Sequence, residues 1–186
     1  VALILVPCST NSTADDKPAG SAGSVKPLVL TNALIYTATS DEPVKGWLAI
    51  ENGKIAAVVP ALEEKKYPVN AEVRDLKGAV IIPGLVDTHS HIGVYSRPGV
   101  QANSDGNEMT GPVQSGVRAL DSLNPDDPGI RMATAGGVTV ANIMPGSGNV
   151  IGGQTIYVKL RGHTAEEMRI TGRLPDGSEI QIGRAH

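Results

Sequence analysis

The sequence predicts an α/β protein in two parts, a small β-sandwich over about residues 27–80 and then a parallel α/β unit. Three observations carry this. First, Trp47-Leu48-Ala49-Ile50 and Ile55-Ala56-Ala57-Val58-Val59 flank Glu51-Asn52-Gly53-Lys54. Asn-Gly between apolar runs is a strong hairpin signal, because both turn residues must tolerate positive φ. Second, a strand pattern over 85–92, a helical one over 125–135 and the apolar run 138–143 follow in the order strand, helix, strand. That order implies a parallel pair. Third, 40% apolar content in 186 residues is enough for a core, and charge is not clustered in blocks. Global disorder is therefore excluded.

Val1-Ala2-Leu3-Ile4-Leu5-Val6-Pro7 precedes Cys8, and residues 9–24 are rich in Ser, Thr, Asn, Asp and Gly. The run is too short to span a bilayer, and the polar stretch buries too little to offset its ordering entropy. Residues 1–26 are expected to be a signal-peptide remnant and flexible tether. They resemble a bacterial lipoprotein start with Cys8 lipidated, the alternative being a cleaved signal with an incidental cysteine. Either way the protein is expected to be exported, periplasmic or on the outer surface. Residues 28–38 are β-rich, the Asn-Gly hairpin follows, and residues 71–75 are a further short strand. Ala79-Val80-Ile81-Ile82 is broken by Pro83-Gly84, and a strand resumes at Leu85. Residues 95–112 are polar and Gly-rich and read as a long loop.

A short helix is expected over 113–123. A better one runs over 125–135, with Asn124 as N-cap, Pro125 at the first position, Asp126 and Asp127 favouring the dipole and Gly136 ending it. The run 138–143 is a buried strand. Gln181 to His186 has no periodicity and is expected to be a non-native read-through tail.

Composition excludes several functions. The net charge is −3 without a basic run, and there are only five aromatic residues, so no nucleic-acid partner is expected. One cysteine excludes a disulfide framework and any multi-cysteine metal site.

The chemistry lies in Pro83-Gly84-Leu85-Val86-Asp87-Thr88-His89-Ser90-His91. Side chains alternate along a strand, so Asp87, His89 and His91 share one face. Two imidazoles two residues apart can converge on one cation, and neutral imidazole is a good ligand for Zn or a similar divalent ion. Asp87 could orient a ligand or a neighbouring backbone amide, or be a polar residue of a lower core layer. Arg97, Asn107 and Glu108 lie in the long loop after the pair and could line a substrate pocket, but like His163 they read more simply as solvated. Residues 146–153 are Gly-rich but lack the Gly-Lys-Ser/Thr end of a phosphate loop, so a turn is the better account. Cys8 has no neighbouring His to make it a nucleophile.

Residues 75–91 together resemble the entry to the metal-dependent amidohydrolase superfamily. There a short strand leads through Pro-Gly into the first barrel strand, which carries Asp-x-His-x-His. The hairpin at residues 51–55 resembles that family's N-terminal sandwich, and Gly137-Val138-Thr139-Val140 its second barrel strand. Residues 142–154 resemble an exported, imidazolonepropionase-like branch. The resemblance implies the first part of a truncated (β/α)8 TIM-like barrel over 81–180. It also implies a divalent metal, most simply Zn, held by His89 and His91 at the C-terminal end of the first barrel strand. The activity implied is hydrolysis of carbon–nitrogen bonds other than peptide bonds in a small-molecule substrate. The family's remaining ligands and its acid/base Asp have no counterpart here. A catalytic Zn site needs about three protein ligands and a barrel about 250 residues. The sequence therefore reads as an N-terminal fragment, expected to be inactive alone. The rival reading is a non-catalytic exported binding module built on the sandwich.

Overall fold

The computed structural model describes residues 3–5, 26–63, 66–104, 106–173 and 179–181. Cys8 and the rest of 6–25 lie outside them, as do 182–186, so the expectations placed there have no structural counterpart. The chain divides into two compact units, 1–83 and 84–186.

The first unit holds β1 (Leu3–Leu5), β2 (Leu28–Ile35), β3 (Val44–Glu51), β4 (Lys54–Pro60), β5 (Glu72–Asp75) and β6 (Val80–Pro83). Among the described residues the expected sandwich is one six-stranded sheet, ordered β1-β6-β2-β3-β4, with β5 paired to β2. The β3–β4 hairpin forms as the sequence predicts. Asn52 and Gly53 make the turn at φ 50° and 71°, the left-handed values that favour Asn and Gly.

A bulge in β2 explains why β5 and β6 extend this sheet. Pairing with β3 jumps from Leu30↔Leu48 to Ala33↔Gly46, so Thr31 and Asn32 together face Trp47. Asn32 sits at φ 53°. The bulge lets one edge of β2 take two partners in succession. Residues 28–31 pair with β5, and Leu34 and Ile35 pair with β6. The turn between those partners bonds back to the bulge through Leu76 N–H to Thr31 O and Gly78 N–H to Asn32 O. The bulge also resets the alternation. Leu30, Ala33 and Ile35 thus share one face with Leu48 and Ile81. Val29, Trp47 and Ala49 bury the other, where the Tyr67 ring meets Trp47 edge-on at 5.0 Å.

Asp75 fixes the same turn. Its Oδ1 accepts from Lys77 N–H at 2.8 Å, and this bond, with one from Asn32, holds the exposed carboxyl below its ordinary range. A lowered folded-state pKa contributes stability above the unfolded value, and that contribution is lost as pH falls through the folded value. Asp75→Asn keeps the acceptor but removes the titration. Its urea midpoint should match wild type in strong acid and fall slightly below it at neutral pH.

The second unit holds β7 (Leu85–Ser90), α1 (Ala119–Ser122), α2 (Pro128–Ala135), β8 (Val138–Ile143), β9 (Ile156–Lys159), α3 (Ala165–Met168), β10 (Thr171–Arg173) and β11 (Glu179–Gln181). The expected strand-helix-strand unit is present as β7-α2-β8, with β7 and β8 parallel. Gly84 allows their close approach, because a Cβ there would fall on the Thr139 side chain. Of the partial barrel expected over 81–180, the described residues form this one unit. The next strand, β9, runs antiparallel to β8. It returns through 144–155 without a helix, and a parallel return needs a longer crossover. β10 and β11 pair separately.

Two helix expectations are corrected. The helix over 113–123 shrinks to α1, because Val113 and Arg118 make backbone bridges to Ile151 and Gln154 instead. The helix over 125–135 begins at Pro128, and Asp127, not Asn124, caps it. The Asn124 side chain instead accepts from Asp126 N–H.

The core of this unit gathers Val94, Leu123, Ile130, Ile143, Val158 and Met168. On β7, by contrast, Leu85 and Val86 are 49% and 54% exposed. No helix among the described residues is long and apolar enough to cross a membrane.

Candidate functional site

The imidazole pair stands at the C-terminal end of β7. His89 is on the strand, and His91 lies just beyond it. Their ring centres are 5.5 Å apart, edge to face. The extended backbone accounts for this, since residues two apart project to the same side. The strand is not regular there. Pairing with β8 runs to Asp87↔Ala141 and resumes at Ser90↔Ile143, so Thr88 and His89 together stand against Asn142.

His91 is half-buried and held from two sides. Its Nδ1 lies 2.9 Å from the Met144 carbonyl oxygen. A carbonyl only accepts, so Nδ1 carries the proton and the neutral ring keeps its lone pair on Nε2. The Tyr95 ring stands edge to face against it at 5.7 Å. Asp87 takes the backbone role, its Oδ1 accepting from His89 N–H at 3.1 Å. Among the described residues, no group of three or more His, Cys, Asp or Glu side chains is arranged to hold a metal ion. The two imidazoles suit such an ion in donor chemistry but are fewer than a catalytic set.

The turn after His91 is tied to α2 by one carboxylate. Asp127 is 2% exposed. Its Oδ2 accepts from Gly93 N–H at 2.9 Å, and its Oδ1 from Arg97 N–H at 2.9 Å and Gly129 N–H at 2.8 Å. Arg97 therefore contributes a backbone N–H here, while its side chain is exposed.

Asn107 and Glu108 hold the Gly-rich segment that follows β8. Asn107 Oδ1 accepts from Gly148 N–H at 3.2 Å, and the Glu108 carbonyl accepts from Asn149 Nδ2 at 2.7 Å. Hydrogen bonds from Thr110 keep the exposed Glu108 carboxyl below its usual range. The Gly-rich segment is thus an anchored loop, as the sequence reading holds. His163 is exposed in the turn before α3, with its backbone N–H donated to Glu167. Sequence reasoning missed Tyr95, Asn142, Met144 and the anchoring role of Asp127.

No family model matches the chain. It is 37% identical over 151 residues to the amidohydrolase tasK of Hapsidospora irregularis, an alignment covering 74% of this chain and 15% of that protein. A solved amidohydrolase from Thermotoga maritima MSB8 superposes with a TM-score of 0.66 at 43% identity, covering 77% of this chain and 36% of that one. The chain belongs to the amidohydrolase superfamily. Within this superfamily, an imidazolonepropionase of Alkaliphilus metalliredigens is 39% identical over 80 residues, or 42% of this chain and 17% of that protein. The chain thus spans well under half the length of each of these amidohydrolases and relatives.

Proposed function

We propose that these residues form the first part of a metal-dependent active site that hydrolyses carbon–nitrogen bonds other than peptide bonds. The substrates would be small amides, cyclic amides or amidines. One observation carries the reading. His91 donates Nδ1–H to the Met144 carbonyl, leaving the Nε2 lone pair beside the His89 ring. Metal-ligating histidines characteristically donate their other nitrogen in this way, which fixes tautomer and ring plane.

His89 and His91 would hold a divalent cation, and neutral imidazole nitrogen favours Zn among the common ions. When bound, the cation supplies Lewis acidity that activates water and polarises the scissile carbonyl. The chain's own residues do the holding. Met144 fixes the proton on His91, Tyr95 backs its ring, and Asp87 braces the His89 backbone. A catalytic set needs about three protein ligands, so the others, with the acid/base carboxylate, would come from further residues of a longer polypeptide. The partial coverage of the relatives agrees with that.

The test is chelation. Purified full-length protein screened against cyclic amides and amidines should lose hydrolysis after treatment with 1,10-phenanthroline. Readdition of Zn²⁺ or Co²⁺ should restore it. Turnover that survives complete metal removal would overturn the reading.

A further inference from the structure

Both imidazoles take their aim from β8 and the residue that directly follows it. For His91 the support is the Met144 carbonyl. For His89 it is indirect and involves a residue with no assigned role. In the irregular stretch of the β7–β8 ladder, the Thr88 carbonyl accepts from Asn142 Nδ2 at 3.2 Å. Asn142 is 6% exposed. Its Oδ1 is buried and meets no hydrogen-bond donor among the described residues. Flipping the amide would not help, because Oδ1 would then face the Thr88 carbonyl, another acceptor.

An unsatisfied buried oxygen is destabilising, and removing a polar group of this kind together with its environment's demand is often neutral or favourable. The residues that share its face of β8, Val138 and Val140, are apolar and half-buried. An aliphatic residue would suit the core at this position better than Asn does. Local features that work against stability are expected where they serve a site.

We propose that Asn142 is a positioning residue for His89. Its amide N–H fixes the Thr88 carbonyl, and Asp87 Oδ1 fixes the next N–H along, that of His89. The peptide between Thr88 and His89 is thereby held at both its oxygen and its nitrogen, and the imidazole leaves the backbone in one direction. This rests on the reading of His89 and His91 as a ligand pair. Its first readout, however, needs no metal.

The test compares wild type, Asn142→Leu and Asn142→Asp in the full chain. Leu keeps the bulk and removes both polar atoms, and Asp keeps the shape and removes the donor. In metal-free protein, the nuclear Overhauser contact between the His89 and His91 ring protons should be present in wild type and lost in both variants. Co²⁺ affinity should fall about 10- to 100-fold, the range for residues that orient ligands. The urea midpoint of Asn142→Leu should equal or exceed that of wild type, which a merely structural role would not allow. The proposal is overturned if the ring contact and affinity survive in either variant. It is equally overturned if the Leu variant loses stability in step with affinity. If wild type binds no Co²⁺ yet the ring contact still disappears in both variants, the positioning role stands and the metal reading falls.

Discussion

On the proposed function, alanine at both His89 and His91 of the full-length protein should abolish metal binding and hydrolysis while leaving the fold in place. The loss should exceed the roughly hundredfold cost of disturbing a residue that only orients a ligand. Either single substitution should cost nearly as much as the pair, because groups that act as a unit are strongly non-additive. The fold should tolerate the change, since His89 is exposed and His91 only half-buried. Removing the His91 ring frees one acceptor, the Met144 carbonyl, for about 1 kcal/mol. Equilibrium dialysis with Zn²⁺, circular dichroism and turnover on the three variants would check this. A double variant that binds metal as wild type does would remove the basis of the functional reading.

The second large effect is structural. Asp127→Ala strips acceptors from three backbone N–H groups, those of Gly93, Arg97 and Gly129. Leaving buried donors unpaired costs about 1–3 kcal/mol each, and losing a helix N-cap typically about 1 kcal/mol. Because these costs overlap, a total of about 3–5 kcal/mol is expected. Asp127→Asn should fall between, since one of its two side-chain heads is a donor facing another donor. Urea unfolding followed by circular dichroism measures this. A loss below about 1 kcal/mol would show that the turn after His91 does not depend on α2. The variant should also weaken the His91–Tyr95 contact, because Gly93 and Arg97 bracket Tyr95.

Much of the fold and half of the site are legible in the residues. The Asn52-Gly53 hairpin is local chemistry, and β8 is an apolar run directly after Gly137. The imidazole pair follows from strand alternation and the Pro-Gly context. What was not legible depends on distant partners. Asn124-Pro125 and Asp127-Pro128 offer the same capping signal three residues apart, and the choice falls to Asp127 because Gly93 and Arg97 supply donors to it. Nothing local announces that β9 turns back antiparallel, or that a bulge at Asn32 gives β2 two partners on one edge. Met144 acts through its backbone, which leaves no mark on residue type. Asn142 does leave one, a lone amide inside the apolar run from Val138 to Ile143.

The two hydrogen bonds that aim the imidazoles bridge sequence separations of 53 and 54 residues. Loop closure over such distances comes late relative to local turns. During synthesis, both histidines would leave the ribosome well before the segment that orients them. The arrangement of the two rings is thus set by folding, and a nascent chain would pass through most of its assembly before the two imidazoles are aimed.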